Sequence, residues 1–336
     1  MKSFMPLKMR VGLGQFNEIT DEILTFIKQM GADDFLMNTP KLPGTTQWKY
    51  EDLANLKDKA DKADLRLMAL ENVPISFYDK IMLGLDGRED QLQNMIRTVR
   101  NMGRANIPIL GYHWMPSGVW RTPNLQSKIR SAKLRGGAKS TRFNQADHDN
   151  DPPTHGRKYT HDEMWKNYCW YLERILPVAE ESNVRLALHP DDPPTANMLG
   201  GVARICSSFD DFKRNMSAFD SPNHGLNFCM GCWSEMGGNK SVLDSIEYFQ
   251  SRKKIIYIHF RDVIGTADNF HETFIDCGQV NTFEVVSLLY RLGFNGFMIT
   301  DHVPAIIGDT EWGHRGRAHC VGFMQALIQT VEKLKP

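Results

Sequence analysis

The sequence predicts an α/β fold: a single (β/α)8 barrel over residues 1–336 with a long insertion after the fourth strand. Three observations carry that expectation. Short apolar runs alternate with helical stretches eight times along the chain. The last four runs all end on a possible metal ligand just before turn residues: LALH at His189, GLNFC at Cys229, IIYIH at His259 and FMITD at Asp301. Those positions lie 40, 30 and 42 residues apart, close to the roughly 30 residues of one strand–helix unit in a barrel.

Taken in order, Met9–Phe16 reads as the first strand and Asp21–Met30 as a helix with acids in its first turn. Asp34–Asn38 is the second strand, followed by Pro40, a loop and a helix over Tyr50–Ala63. Leu65–Leu70 is the third, ending at Glu71 and Asn72, and its helix runs over Arg88–Met102 with Ile96, Val99 and Met102 on one face. Ile107–Tyr112 is the fourth, ending at His113 and Trp114; its helix, Thr160–Ser182, comes only after the insertion. The helices after the last four strands read as Ser208–Ala218, Ser241–Gln250, Phe283–Leu292 and Arg317–Leu334.

Charge narrows the function. Lys plus Arg equals Asp plus Glu at 40 each, so no long-range field favours nucleic acid or an anionic membrane surface. No stretch approaches a membrane span, and MKSFMPLKMRVGLGQF lacks the apolar core of a secretion signal, so the expected location is cytoplasmic. Six sparse cysteines fit a reducing compartment without disulfides. Cys229 and Cys232 form a C-x-x-C, but no second pair completes a structural zinc site. Cys169, Cys206, Cys277 and Cys320 read as packing residues.

Residues 113–159 are too many for a plain connection and read as a lid-like insertion. Arg121, Arg142, Asn144 and His155 within it could serve an anionic substrate, and Trp114 and Trp120 could wall a pocket.

Barrels place chemistry at the carboxyl ends of their strands, so His189, Cys229, His259 and Asp301 share one rim. Two imidazoles, a thiolate and a carboxylate suit a divalent transition ion: the softer ligands favour zinc, while the carboxylate admits harder ions such as manganese. An octahedral ion on four protein ligands keeps two positions for substrate oxygens. His302 follows a ligand directly and is either a support for the ligand set or an acid–base group, since imidazole titrates near neutrality. Arg261, Arg315 and Arg317 could clamp a carboxylate, or pair with Asp262 or Asp309. Asp191 and Asp192 could bind hydroxyls or cap their own turn.

HPDDPP, NFC-x-G, HFRD and DH followed by GRA-x-x-x-GFMQAL, together with YHWMPSGVWRT at the fourth strand, resemble the mannonate dehydratase family across essentially the whole chain. The resemblance implies a TIM barrel of the xylose-isomerase-like group. It implies an ion, usually Mn2+ with Fe2+, Co2+ or Zn2+ as other possibilities, held by His189, Cys229, His259 and Asp301. The implied reaction removes water from D-mannonate or a close sugar acid: a proton leaves C2, hydroxide leaves C3, and a 2-keto-3-deoxy acid results. His302 matches the family's catalytic histidine, and His113, Trp114, Arg121, Arg142, Asp191, Arg261 and Arg315 are expected around the substrate. The family pattern has a catalytic tyrosine after the eighth strand. Here Val303–Gly316 reads VPAIIGDTEWGHRG without one, and His314 is its expected replacement.

Two other functions fit the same residues. A sugar or sugar-acid isomerase or epimerase would share the C2 proton abstraction without losing hydroxide. A catalytically silent binding homologue would keep the pocket alone, although such a copy need not retain four competent ligands. The expected partner is a small sugar acid; a homo-oligomer stays open, as no helix face marks an interface.

Overall fold

The computed structural model describes residues 7–123 and 130–335; residues 1–6, 124–129 and 336, six of them inside the insertion, lie outside the described residues. Eight parallel strands close into a barrel: Arg10–Leu13, Asp34–Asn38, Arg66–Glu71, Ile109–Tyr112, Arg185–Leu188, His224–Cys229, Ile255–His259 and Phe297–Ile299. Each pairs with its neighbours in the chain, and Arg10 opposite Phe297 joins the first strand to the eighth. Period-2 alternation sends Leu36, Met68, Ile109, Ile256 and Phe297 into the barrel, while the alternate positions pack beneath the helices.

The helices start where side chains satisfy their free amides. Thr20 caps Asp21–Gln29, Ser208 caps Phe209–Ala218 and Asn281 caps Thr282–Arg291. Thr160 and Glu163 form a reciprocal capping box on His161–Glu181. All six cysteines are free. No helix among the described residues is long and apolar enough to cross a membrane.

Three departures from the sequence expectation matter for the site. The helix after the sixth strand is Met230–Ser251 rather than Ser241–Gln250, and Cys229 is its N-cap. Gly237 and Gly238 make a bend within it, with Gly238 at φ 64°. The eighth strand stops at Ile299, so Asp301 and His302 leave the barrel as irregular backbone. After the seventh strand the chain makes an unforeseen hairpin, Val263–Thr266 with Asn269–Glu272, and the insertion strand Arg142–Asn144 pairs with its second arm. The insertion is thereby tied to the barrel rim. Trp120, Phe143, Leu199, Val263 and Phe270 form a separate small core beneath it.

Candidate metal centre

Four carboxyl-terminal positions converge. One ligand atom each from His189, Cys229, His259 and Asp301 lies within 4.8 Å of the others, and all four residues are buried. The hydrogen bonds choose which imidazole nitrogens are free. His189 Nδ1 lies 2.7 Å from the Pro190 carbonyl and donates to it, leaving Nε2 for an ion. His259 is held the other way round. Its Nε2 donates to Glu71 Oε2 at 2.7 Å, while its buried Nδ1 has no hydrogen-bond partner and lies 3.5 Å from Asp301 Oδ2. An orphaned buried nitrogen beside a carboxylate and a thiol fits a cation. Burial alone would raise the Cys229 thiol, but Cys232, Arg261 and His189 hold it well below its ordinary value, toward the thiolate that ligation requires.

Glu71 ends the third strand and was given no role from the sequence. It also accepts from the Tyr257 hydroxyl at 3.0 Å and from Gln15 Nε2 at 3.2 Å. Burial works against its charge, but the His259 contact lowers its pKa, so it stays a carboxylate. Gly111 makes room for this group, since a Cβ there would lie 2.3 Å from the Tyr257 hydroxyl.

Asp192, Cys232 and Glu235 also cluster closely enough to suggest a second ion. The Arg261 guanidinium already lies among them, 3.1 Å from Asp192, 3.1 Å from Glu235 and 3.3 Å from the Cys232 sulfur. Its Nε donates to Asp301 at 2.8 Å. Gly231 allows this approach, because a Cβ would meet Arg261 Nη1 at 2.3 Å. Arg261, expected to clamp a substrate carboxylate, is therefore fully engaged with the protein and 3% exposed.

Arg121, from the insertion, is likewise spent on structure. It forks onto Asp192 at 2.7 and 3.0 Å and reaches Glu272 at 2.7 Å. Glu272 in turn accepts from His302 Nδ1 at 2.7 Å, and His302 Nε2 lies 3.6 Å from Asp301 Oδ1. His302 thus turns one nitrogen to the ligand set and remains 43% exposed. Burial opposes the charge on Glu272, but His302 and Arg121 hold it well below the usual carboxylate range.

The other expected residues divide. His113 is half-buried at the end of the fourth strand; burial pushes its pKa down to about 3, and Nδ1 accepts from the Met115 amide at 3.1 Å. It is a neutral ring with Nε2 as its donor. Trp114 is a core residue packed on Tyr168 and Tyr171, not a pocket wall. Asp191 accepts from the Cys206 amide and faces Arg204 at 3.6 Å, which anchors its loop instead of presenting it to a ligand. Arg142 pairs with Asp147 at 3.7 Å on the outer sheet, and Arg315 holds the Ile307 carbonyl at 2.9 Å. His314 is a further correction: its ring packs against Phe26 and Trp312, and Nδ1 meets the Thr310 hydroxyl. None of these neighbours belongs to the ligand set.

Comparison with known proteins decides the family. The family described as "D-mannonate dehydratase (UxuA)" matches residues 9–158 and 153–336. The chain belongs to the D-mannonate dehydratase family. Members of that family are hydro-lyases and depend on a metal. A curated mannonate dehydratase of Thermotoga maritima is 26% identical over 328 residues, covering 88% of this chain and 89% of the relative. The crystal structure of mannonate dehydratase from Streptococcus suis serotype 2 superposes with a TM-score of 0.86 at 26% identity, covering 98% of this chain and 95% of that one. A xylose isomerase domain protein from Planctomyces limnophilus shares the barrel alone, with a TM-score of 0.63 at 12% identity over 98% of this chain and 99% of that one.

Proposed function

We propose that the protein dehydrates D-mannonate, or a sugar acid of closely similar stereochemistry, to 2-keto-3-deoxy-D-gluconate. The observation that carries this reading is the placement of His302, whose Nε2 faces the ligand set while Nδ1 is held by Glu272. His189, Cys229, His259 and Asp301 would hold a divalent ion, with Mn2+ proposed in the cell. When bound, that ion supplies Lewis acidity to the oxygens of the sugar acid.

His302 Nε2 takes the C2 proton, hydroxide leaves C3, and the resulting enol rearranges to the 2-keto acid. The electron pair of the broken C2–H bond becomes the C2–C3 double bond as the C3–O bond breaks. His113 Nε2–H is a neutral donor for a substrate hydroxyl. The described part of the insertion, tied to the rim through Arg142–Asn144, serves as the cover that limits water.

A second reading, sugar-acid isomerisation, is favoured by one observation. With no tyrosine in Val303–Gly316 and His314 packed on Phe26, no second proton-exchanging group from that loop meets the ligand set among the described residues. A turnover assay of the manganese-loaded protein on a panel of hexonates separates the two. Formation of a 2-keto-3-deoxy acid from D-mannonate, lost in His302→Asn with metal still bound, is the expected result. A C2-epimeric hexonate of unchanged mass would establish the second reading instead.

A further inference from the structure

We propose that Glu272, delivered by the hairpin after the seventh strand, is the positioning residue for His302. The inference rests on His302 acting as the base in the proposed reaction. His302 follows the end of the eighth strand on irregular backbone, and its ring is 43% exposed. A side chain so placed would sample several rotamers, and holding it in one costs conformational entropy. Something must restrain it if Nε2 is to meet a substrate carbon repeatedly.

Glu272 has the features of that restraint. Its Oε1 lies 2.7 Å from His302 Nδ1, at the opposite side of the ring from the nitrogen facing Asp301. The same oxygen takes Arg121 Nη2 at 2.7 Å and lies 3.8 Å from Arg261 Nη1, so the carboxylate is itself held in place. Glu272 is 4% exposed, and its backbone amide donates to the Thr141 carbonyl at 3.0 Å. Its strand, Asn269–Glu272, has a paired strand on each side. A carboxylate can only accept from Nδ1–H, which in the neutral ring leaves the lone pair on Nε2. One rigid group thus sets both the direction of the ring and its tautomer, as the third member of a nucleophile–base–orienter chain does.

The same geometry gives the insertion a part in the reaction. Arg121 lies outside the barrel strands, yet it shares Glu272 with His302 and binds Asp192, which also holds Arg261 against the ligand Asp301.

Two substitutions test the assignment. Glu272→Gln keeps an acceptor oxygen between the same donors, whereas Glu272→Leu removes it. In the manganese-loaded enzyme, Glu272→Leu is expected to lower kcat on D-mannonate about tenfold or more. KM and bound metal should stay within about twofold, and Glu272→Gln should restore most of the loss. Equal losses in both variants, or a change confined to KM or metal content, would make Glu272 a strut for the rim and overturn the proposal. A second measurement needs no turnover. In zinc-loaded protein carrying 15N-histidine, the His302 signals, assigned with His302→Asn, should report the Nδ1–H tautomer and lose it in Glu272→Leu. An unchanged tautomer in that variant overturns the proposal. A wild-type protein that keeps the Nδ1–H signal but turns over no hexonate would sink the dehydratase reading and still support Glu272 as the orienter.

Discussion

Glu71 and His259 meet across the mouth of the barrel at 2.7 Å, carboxylate to Nε2, on the side of the ring away from Asp301. The pair fixes His259 in the tautomer that offers Nδ1 to an ion. Removing the carboxylate frees the ring and its proton. Glu71→Leu should therefore weaken manganese binding by about 10- to 100-fold, with Glu71→Gln in between. Calorimetric titration of the metal-free proteins measures this directly. Equal affinity in wild type and Glu71→Leu would show that the contact does not tune the site.

Gly111 guards the same group through space. An added methyl would lie 2.3 Å from the Tyr257 hydroxyl and 3.0 Å from Glu71 Cγ, so one of them must move. Gly111→Ala is expected to destabilise by about 1–3 kcal/mol, the usual cost of overpacking. Tyr257→Phe in the same chain should recover part of that loss, because it removes the atom in collision. Urea unfolding of both single variants and the double variant gives the coupling, and strict additivity would contradict the collision.

His224 makes stability depend on acid. It is 1% exposed, and burial pushes its pKa down to about 4 from an ordinary 6.5. Between those values the unfolded chain binds a proton that the folded one refuses. The neutral ring's contribution is therefore complete above pH 6.5 and is lost as pH falls toward 4, by roughly 3 kcal/mol over the whole window. His224→Gln should unfold at lower urea than wild type at pH 7 by more than it does at pH 5. A gap that does not narrow on acidification would refute this.

His314 is packed against aromatic rings and is not among the candidate ligands. Its ring edge meets Phe26 and Trp312, each 4.8 Å between centroids. His314→Asn should leave kcat on the active sugar acid within about twofold and lower thermal stability slightly, as loss of an edge-to-face contact predicts. A large fall in kcat with unchanged stability would return His314 to the reaction.

The residues that could be read from the chain share one property: their meaning is local. Apolar runs of four or five residues ending in His189, Cys229, His259 and Asp301 announce parallel strands with ligands at one end, and the strand–helix period brings those ends together. Glu71 belonged to the same pattern, since RLMALE is also an apolar run closed by a carboxylate, and the signal was present without a role attached. Trp114 and Asp191 show the converse. Each adjoins a strand end, but the side chains turn into the protein, toward Tyr168 and toward Arg204.

By itself, then, the sequence determined the barrel, the convergence of four candidate ligands and the family, because strand periodicity and motif spacing are properties of neighbours in the chain. Only the tertiary structure decided which nitrogen of each histidine is free, and that Arg121 and Arg261 are bound to carboxylates instead of awaiting a substrate. It also decided that Glu272 reaches His302 from 30 positions away. The physical reason is that a buried charge must find its partner in space. The partners of Arg261 came from a turn, a helix and the irregular backbone after the eighth strand, at Asp192, Glu235 and Asp301. No spacing along the chain encodes that meeting; the closed barrel and the hairpin packed on its rim create it.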